Sequence, residues 1–132
     1  MILIDTSAWI DYLRAARTEA HFEVRSVLQS DADVRISEPI IMELVAGSRG
    51  NEVGIEALVD GLPLLPIEPG LDFRAAGELF RASRANGHPI RSLVDCLIAA
   101  IAMRHGATLL HKDRDFTFLA EISPLKLHSP SA

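Results

Sequence analysis

The feature that most restricts how this chain can fold is the placement of four carboxylates in otherwise apolar sequence. Asp5 closes the opening run Met1-Ile2-Leu3-Ile4. Glu43 stands between Ile40-Ile41-Met42 and Leu44-Val45, Asp95 interrupts the run from Leu93 to Met103, and Asp113 follows Ala107 to Leu110. Acidic side chains rarely sit in apolar surroundings without a partner, because losing hydration costs more than packing returns. Two unit charges 4 Å apart repel by about 4 kcal/mol at an effective dielectric near 20. A fold that gathers these acids must bind a cation or protonate some of them. Oxygen ligands without paired His or Cys select Mg²⁺ or Mn²⁺ rather than zinc. The histidines show no zinc spacing, and Cys96 is the only cysteine.

Each acid also has a plainer reading. Asp5 reads as a turn residue or helix cap, and Glu43 as the solvated face of an amphipathic helix. Asp95 reads as the last member of a capping-box-like Ser92-x-x-Asp95, and Asp113 or Asp115 as a cap of the turn before Phe116. Asp31, Asp33, Asp60 and Asp72 read as loop or surface acids.

Periodicity places the four. Residues 1–5 predict a buried strand, and Ser7 the cap of a short helix carrying Trp9, Ile10, Tyr12 and Leu13. A second amphipathic helix follows through Phe22, Val24, Val27 and Leu28 to Gln29. Val34–Ile36 predicts a strand. Ser37-Glu38-Pro39 opens a helix that carries Glu43 and stops at Gly47. Val53 to Val59 predicts a short helix, and Leu62 to Ile67 an edge strand limited by Pro63 and Pro66. Phe73 to Ala85 and Ser92 to Arg104 predict helices, the latter capped by Gly106. Ala107 to Leu110 predicts a strand, followed by an acidic turn and a last strand near Leu125 to Leu127. Alternating strands and helices imply a parallel sheet covered on both faces, with binding residues at the carboxyl ends of its strands. Asp5 and Asp113 fall at such ends.

No repeat or linker divides the 132 residues, so one domain, 1–132, is expected. A single cysteine suits a reducing cytoplasm. The opening lacks the basic region of a signal peptide. The run Cys96 to Met103 falls far short of the roughly 20 residues of a membrane span. The net charge of −5 argues against a generic nucleic-acid coat; it permits a nuclease with cation-bound acids or a basic protein partner.

Four segments carry a family likeness: Ile4-Asp5-Thr6-Ser7-Ala8-Trp9-Ile10-Asp11, the Glu43 helix, Asp95-Cys96-Leu97-Ile98-Ala99-Ala100-Ile101-Ala102, and Gly106 through His111-Lys112-Asp113-Arg114-Asp115 to Phe116. In this order they resemble PIN-domain nucleases, and among them the VapC toxins of VapBC toxin–antitoxin pairs. The resemblance covers essentially the whole chain. It implies an α/β/α sandwich around a mainly parallel sheet of four to five strands. It further implies Mg²⁺-dependent endonucleolytic cleavage of RNA, of tRNA or another structured RNA, with Mn²⁺ able to substitute, and inhibition by a cognate VapB antitoxin. Asp5 and Asp95 are the implied principal metal ligands. Glu43 is implied to complete that site or to orient the attacking water, and Asp113 to support it or a second metal. The family often has Thr or Ser two positions before the residue matching Asp113, where this chain has His111; the fourth acid stays open between Asp113 and Asp115.

Around these, Thr6 or Ser7 offers a hydroxyl to a ligand water or phosphate, or else caps a helix. Arg91, before the Ser92 cap, is the better phosphate contact, while Arg81 and Arg84 read equally as a solvated face. Trp9 and Tyr12 stack on bases or pack in the core. Val45, Val53, Ile55, Leu58 and Val59 suggest an apolar surface for a homodimer, extended to a heterotetramer or larger with antitoxin. Competing readings are a non-catalytic acidic-pocket interaction module of PIN-like fold, an aspartyl-nucleophile phosphatase, and an acidic receiver domain. The phosphatase usually has a second Asp where Ser7 stands, and the receiver domain needs a better-placed Lys than Lys112.

Overall fold

Short apolar runs at β-branched and Leu positions become strands here because both of their faces are covered. In the computed structural model, which describes residues 1–47 and 54–129, four of them make one parallel sheet. The strands are β1 (Ile2–Ile4), β2 (Val34–Arg35), β3 (Thr108–Leu110) and β4 (Lys126–Leu127), in the order β2-β1-β3-β4. Register pairs Ile2 with Val34 and with Thr108, Ile4 with Leu110, and Leu109 with Leu127. Leu3, Ile4 and Leu109 are fully buried.

Between the strands run α1 (Thr6–Leu13), α2 (Glu19–Gln29), α3 (Glu38–Gly47), α4 (Ile55–Gly61), α5 (Pro69–Ala85), α6 (Leu93–His105) and α7 (Arg114–Glu121). The chain leaves β1 toward β2 in one direction, then crosses back over β1 to β3 and continues outward to β4. Right-handed crossovers therefore put α1 and α2 on one face and α3 to α7 on the other. The direction reverses between β1 and β3, and an open sheet has its natural crevice at that point, outside the strands' carboxyl ends.

The α6 helix is buried throughout Cys96–Ala102 and ends as its sequence predicts, with Gly106 in the left-handed region at φ 67°. Other expectations are revised. Asp5, not Ser7, is the N-cap of α1, accepting the Ala8 N–H at 3.0 Å. The α5 helix begins at Pro69, ahead of Phe73, because Glu68 caps it and proline fits the first turn. Leu62 to Ile67 supplies only an isolated parallel bridge, Ile36 to Leu64, since Pro63 and Pro66 have no N–H to donate. The acidic turn after β3 is brief. Asp113 caps a further helix, α7, which buries Asp115, Phe116 and Leu119. Val53 lies outside the described residues, and α4 spans Ile55–Gly61.

Asp72 is not a surface acid. It is 1% exposed and accepts two hydrogen bonds from Arg104, Nε at 2.8 Å and Nη2 at 2.9 Å, which tie the start of α5 to the end of α6.

Candidate active site

Strand pairing delivers the first acid. The Asp5 N–H donates to the Leu110 carbonyl at 2.9 Å, so the residue ending β1 lies beside the loop that leaves β3. Asp5, Thr6, Ser7, Ile10, Glu43, Ser92, Asp95 and Asp113 line one cleft of about 310 Å³. Each acid arrives on a different element: Asp5 at the β1–α1 junction, Glu43 within α3, Asp95 in the first turn of α6, and Asp113 at the cap of α7.

The surrounding polar groups hold the carboxylates in place. Ser7 donates to the Asp5 carboxylate, with Oδ1 at 2.8 Å and Oδ2 at 3.0 Å, while Ala8 N–H donates to Oδ1. A carboxylate has about four lone-pair sites, so two donors leave Asp5 free to accept more. Thr6 donates to Glu43 Oε1 at 2.6 Å, joining the β1–α1 turn to α3. The two hydroxyls therefore act on the acids themselves, not as caps. Ser92 caps α6 by accepting the Asp95 N–H at 3.3 Å. Asp113 Oδ1 accepts the Asp115 N–H at 2.9 Å.

Burial and charge crowding together favour the protonated form of Asp95. Burial pushes the Asp95 carboxyl up, and Asp113, Asp5, Glu43 and Asp115 push it further, to about 7. Asp5 is also raised, chiefly by burial, although Ala8, Ser7 and the charge of His111 oppose the rise. Strongly shifted groups in a cleft are typical of functional sites.

Asp95, Asp113 and Asp115 each offer an oxygen within 4.8 Å of the others, a spacing one small cation can bridge. The donor set is all oxygen, which fits Mg²⁺ or Mn²⁺. Asp115 differs from the other two in its surroundings. It is buried, with His88 Nε2 3.4 Å from Oδ1 and Arg91 Nε 4.0 Å from Oδ2, and it does not line the cleft. Arg91 itself is 85% exposed in its side chain and free to turn toward a phosphate.

Two aromatic and apolar expectations divide. Trp9 is fully buried and belongs to the core, with Tyr12 edge-on at 6.0 Å; it cannot stack on a base. Val45 is exposed, as is Met42 on the same helix, whereas Ile55 is buried.

One arrangement escaped the sequence. Asp11, at the end of α1, is buried and accepts from the Thr18 hydroxyl at 2.7 Å, and Lys112 Nζ lies 3.0 Å from the same oxygen. Burial pulls the Asp11 carboxyl upward, but Thr18 and Lys112 outweigh it and hold it below the usual range. Lys112 precedes Asp113, so this pair fastens the acidic loop to the α1–α2 turn. The signal was the single Lys between His111 and Asp113, which has meaning only once α1 is known to lie alongside.

A family model described as PIN domain matches residues 2–122. Ribonuclease VapC11 of Mycobacterium tuberculosis is 46% identical over 132 residues, covering 98% of each chain. Among solved structures, VapBC2 from Rickettsia felis, bound to a DNA fragment from its promoter, superposes with a TM-score of 0.73 at 20% identity, covering 97% of this chain and 98% of that one. A toxin–antitoxin complex from Klebsiella pneumoniae gives 0.69 at 21% identity, covering 96% and 100%. At these identities the structural likeness speaks for the fold.

Proposed function

The chain belongs to the PIN-domain family, with VapC ribonucleases as its relatives, and from that premise we propose that it is the Mg²⁺-dependent endoribonuclease toxin of a VapBC pair. Its substrate is RNA, of the tRNA or another structured class, and its inhibitor a cognate VapB antitoxin. The observation that carries this reading is the convergence of Asp5, Glu43, Asp95 and Asp113 on one cleft, with Asp95 driven toward protonation by burial and then by its neighbours.

Asp5 and Asp95 would hold the cation, with Asp113 in support. When bound, a divalent ion would lower the pKa of a water and offset charge on the phosphoryl oxygens. Glu43, oriented by the Thr6 hydroxyl, positions the attacking water and accepts its proton. Water oxygen bonds to phosphorus as the bond to the leaving ribose oxygen breaks, and that oxygen takes up a proton from solvent. Ser7 keeps the Asp5 carboxylate facing the cleft, and Arg91 steadies a neighbouring phosphate.

EDTA is expected to abolish cleavage of a total-RNA preparation, and Mg²⁺ or Mn²⁺ to restore it. Full activity in chelator would remove the metal from the reading. Because Asp95 holds a proton below about pH 7, cation and proton compete for it. Apparent Mg²⁺ affinity, measured calorimetrically, should weaken by up to about tenfold per pH unit on descending from pH 7 to pH 5. An affinity flat across that range would contradict it.

Between Asp113 and Asp115 we assign the fourth acid to Asp113: it lines the cleft, whereas Asp115, although its carboxylate is within 4.8 Å of Asp95 and Asp113, is also engaged by His88 and Arg91. Asp113→Asn should therefore cost more cleavage rate than Asp115→Asn, in assays at saturating Mg²⁺. The reverse order would assign the role to Asp115.

The exposed Met42 and Val45 on α3 offer an apolar surface for a second copy, giving a homodimer and, with antitoxin, a heterotetramer or larger assembly. Among the described residues no helix is long and apolar enough to cross a membrane.

A further inference from the structure

A second cavity is larger than the acidic cleft. About 420 Å³ in volume, it opens between α2 and the carboxyl end of β3, within the size range of small-ligand sites. We propose that this cavity receives an unpaired guanine base of the RNA, from the nucleotide adjoining the scissile phosphate. The assignment rests on the ribonuclease reading above, and deepens it by naming a base.

Its walls suit a base better than a phosphate. Glu19 and Glu23 of α2 face it, and two carboxylates repel an anionic backbone. Leu110 and Ala20 supply apolar surface, while Ser26, His111 and His128 add adaptable polar atoms. His128 is fixed at both ends: its N–H donates to the Leu109 carbonyl at 2.8 Å, and its Nε2 lies 2.8 Å from Glu23 Oε1. That pairing engages one oxygen of Glu23 and holds the half-buried side chain in place, while Glu19, exposed at the cavity edge, is the more accessible acceptor.

An open carboxylate selects among bases by what their edges donate. Guanine presents N1–H and N2–H side by side, matching the two oxygens of one carboxylate. Uracil presents one N–H flanked by carbonyls that the carboxylates repel. Unpaired RNA bases are read on these edges.

Position makes the link to the cleft. Leu110 and His111 are on the cavity wall, and Asp113 is on the cleft wall. Two residues of chain reach at most about 7 Å, so a base and the phosphate beside it can occupy the two spaces together.

Guanosine, a neutral probe without phosphate, should shift the backbone amide resonances of Ala20, Glu23, Ser26 and His128 saturably, and uridine should not. Ser26→Trp, at an exposed position on the rim, should fill the space and abolish those shifts while Mn²⁺ binding stays unchanged. On single-stranded RNA of random sequence, the wild-type protein should favour guanine about tenfold at one fixed position beside the cut. Ser26→Trp and Glu19→Gln should flatten that preference to under about threefold while cleavage continues.

No guanosine shift at those amides, or an undiminished preference in Ser26→Trp, overturns the proposal and leaves the nuclease reading standing. If Ser26→Trp keeps the preference and instead blocks inhibition by antitoxin, the cavity belongs to the protein partner, and the base assignment falls. A wild-type protein that binds guanosine and cleaves no RNA would overturn the ribonuclease reading, and with it the claim that this guanine belongs to a substrate.

Discussion

Asp95→Asn is expected to lower RNA cleavage by about a thousandfold or more and, in the same protein, to raise the stability of the metal-free fold. The first effect follows, on the proposed mechanism, from removing an acid of the cation site, where transition-state charge would be stabilised by several kcal/mol, each 1.36 kcal/mol being about tenfold in rate. The second follows from the price of crowding. Burial, then Asp113, Asp5, Glu43 and Asp115, lift the Asp95 carboxyl from 3.8 to about 7. A carboxyl whose folded pKa is raised keeps its proton where the unfolded chain has lost it. Stability tied to Asp95 is therefore intact below pH 4 and is progressively lost as pH rises toward 7. Above 7 the ionised group sits among like charges. The neutral amide escapes that repulsion, so the substitution should stabilise the apo protein at pH 8 by about 2 kcal/mol, after allowance for partial solvent access. At pH 4 it should do almost nothing.

Thermal melts with and without Mg²⁺ separate the two contributions. Wild type should gain stability from the cation by mass action, and the variant should gain little. A variant no more stable at pH 8 than at pH 4, relative to wild type, would show that the acids do not repel one another as their positions require. Wild-type cleavage by the variant would remove Asp95 from the ligand set.

Arg104→Ala should destabilise the fold by about 3 kcal/mol, the cost of stranding a buried charge. Asp72 accepts both Arg104 bonds and the Glu68 N–H at 2.7 Å, while Arg104 also donates to the Pro66 carbonyl at 2.7 Å. Burial pulls the Asp72 carboxyl up, but these hydrogen bonds and the positive charges of Arg104 and His105 hold it below the usual range. A depressed pKa contributes stability above the unfolded value of 3.8, and that contribution disappears as pH falls through the lower folded value. The deficit of Arg104→Ala should thus be largest near neutrality and shrink in acid, where protonated Asp72 needs no cation. Adding Asp72→Asn should recover part of it. The exposed Asp33–Arg35 pair gives the contrast: Arg35→Ala should leave stability essentially unchanged. Urea titrations of the variants at pH 7 and pH 3.5 test all three statements. Equal losses for Arg104→Ala and Arg35→Ala would mean that the buried pair is no more than a surface contact.

What could be read along the chain was whatever one segment specifies by itself. The β1 and β3 runs are short and largely apolar, and α6 announces itself by an unbroken buried stretch with Ser92 before it and Gly106 after it. The α7 helix was missed because its eight residues place Phe116 and Leu119 only one turn apart, too brief a period to outweigh an acidic opening that reads as a turn. The true start of α5 was visible in Glu68-Pro69 but was overshadowed by the stronger apolar spacing from Phe73 onward. Asp72 looked like a surface acid because its partner, Arg104, lies 32 residues away on another helix.

The candidate site divides in the same way. The acids Asp5, Glu43, Asp95 and Asp113 stood out because each violates the apolar pattern of its own element, a local inconsistency that needs no partner to be noticed. The choice between Asp113 and Asp115, the task of Thr6 and Ser7, and the bond from Lys112 to Asp11 did not stand out. These depend on the parallel pairing of β1 with β3, which sets Asp5 against Leu110 and brings the loop carrying Asp113 to the cleft, with an Asp115 oxygen within 4.8 Å of those of Asp95 and Asp113. Sequence determined which side chains are costly to bury; the crossing of the chain over its own first strand decided which of them share the cost, because electrostatic repulsion depends on distance in space and not on separation along the chain.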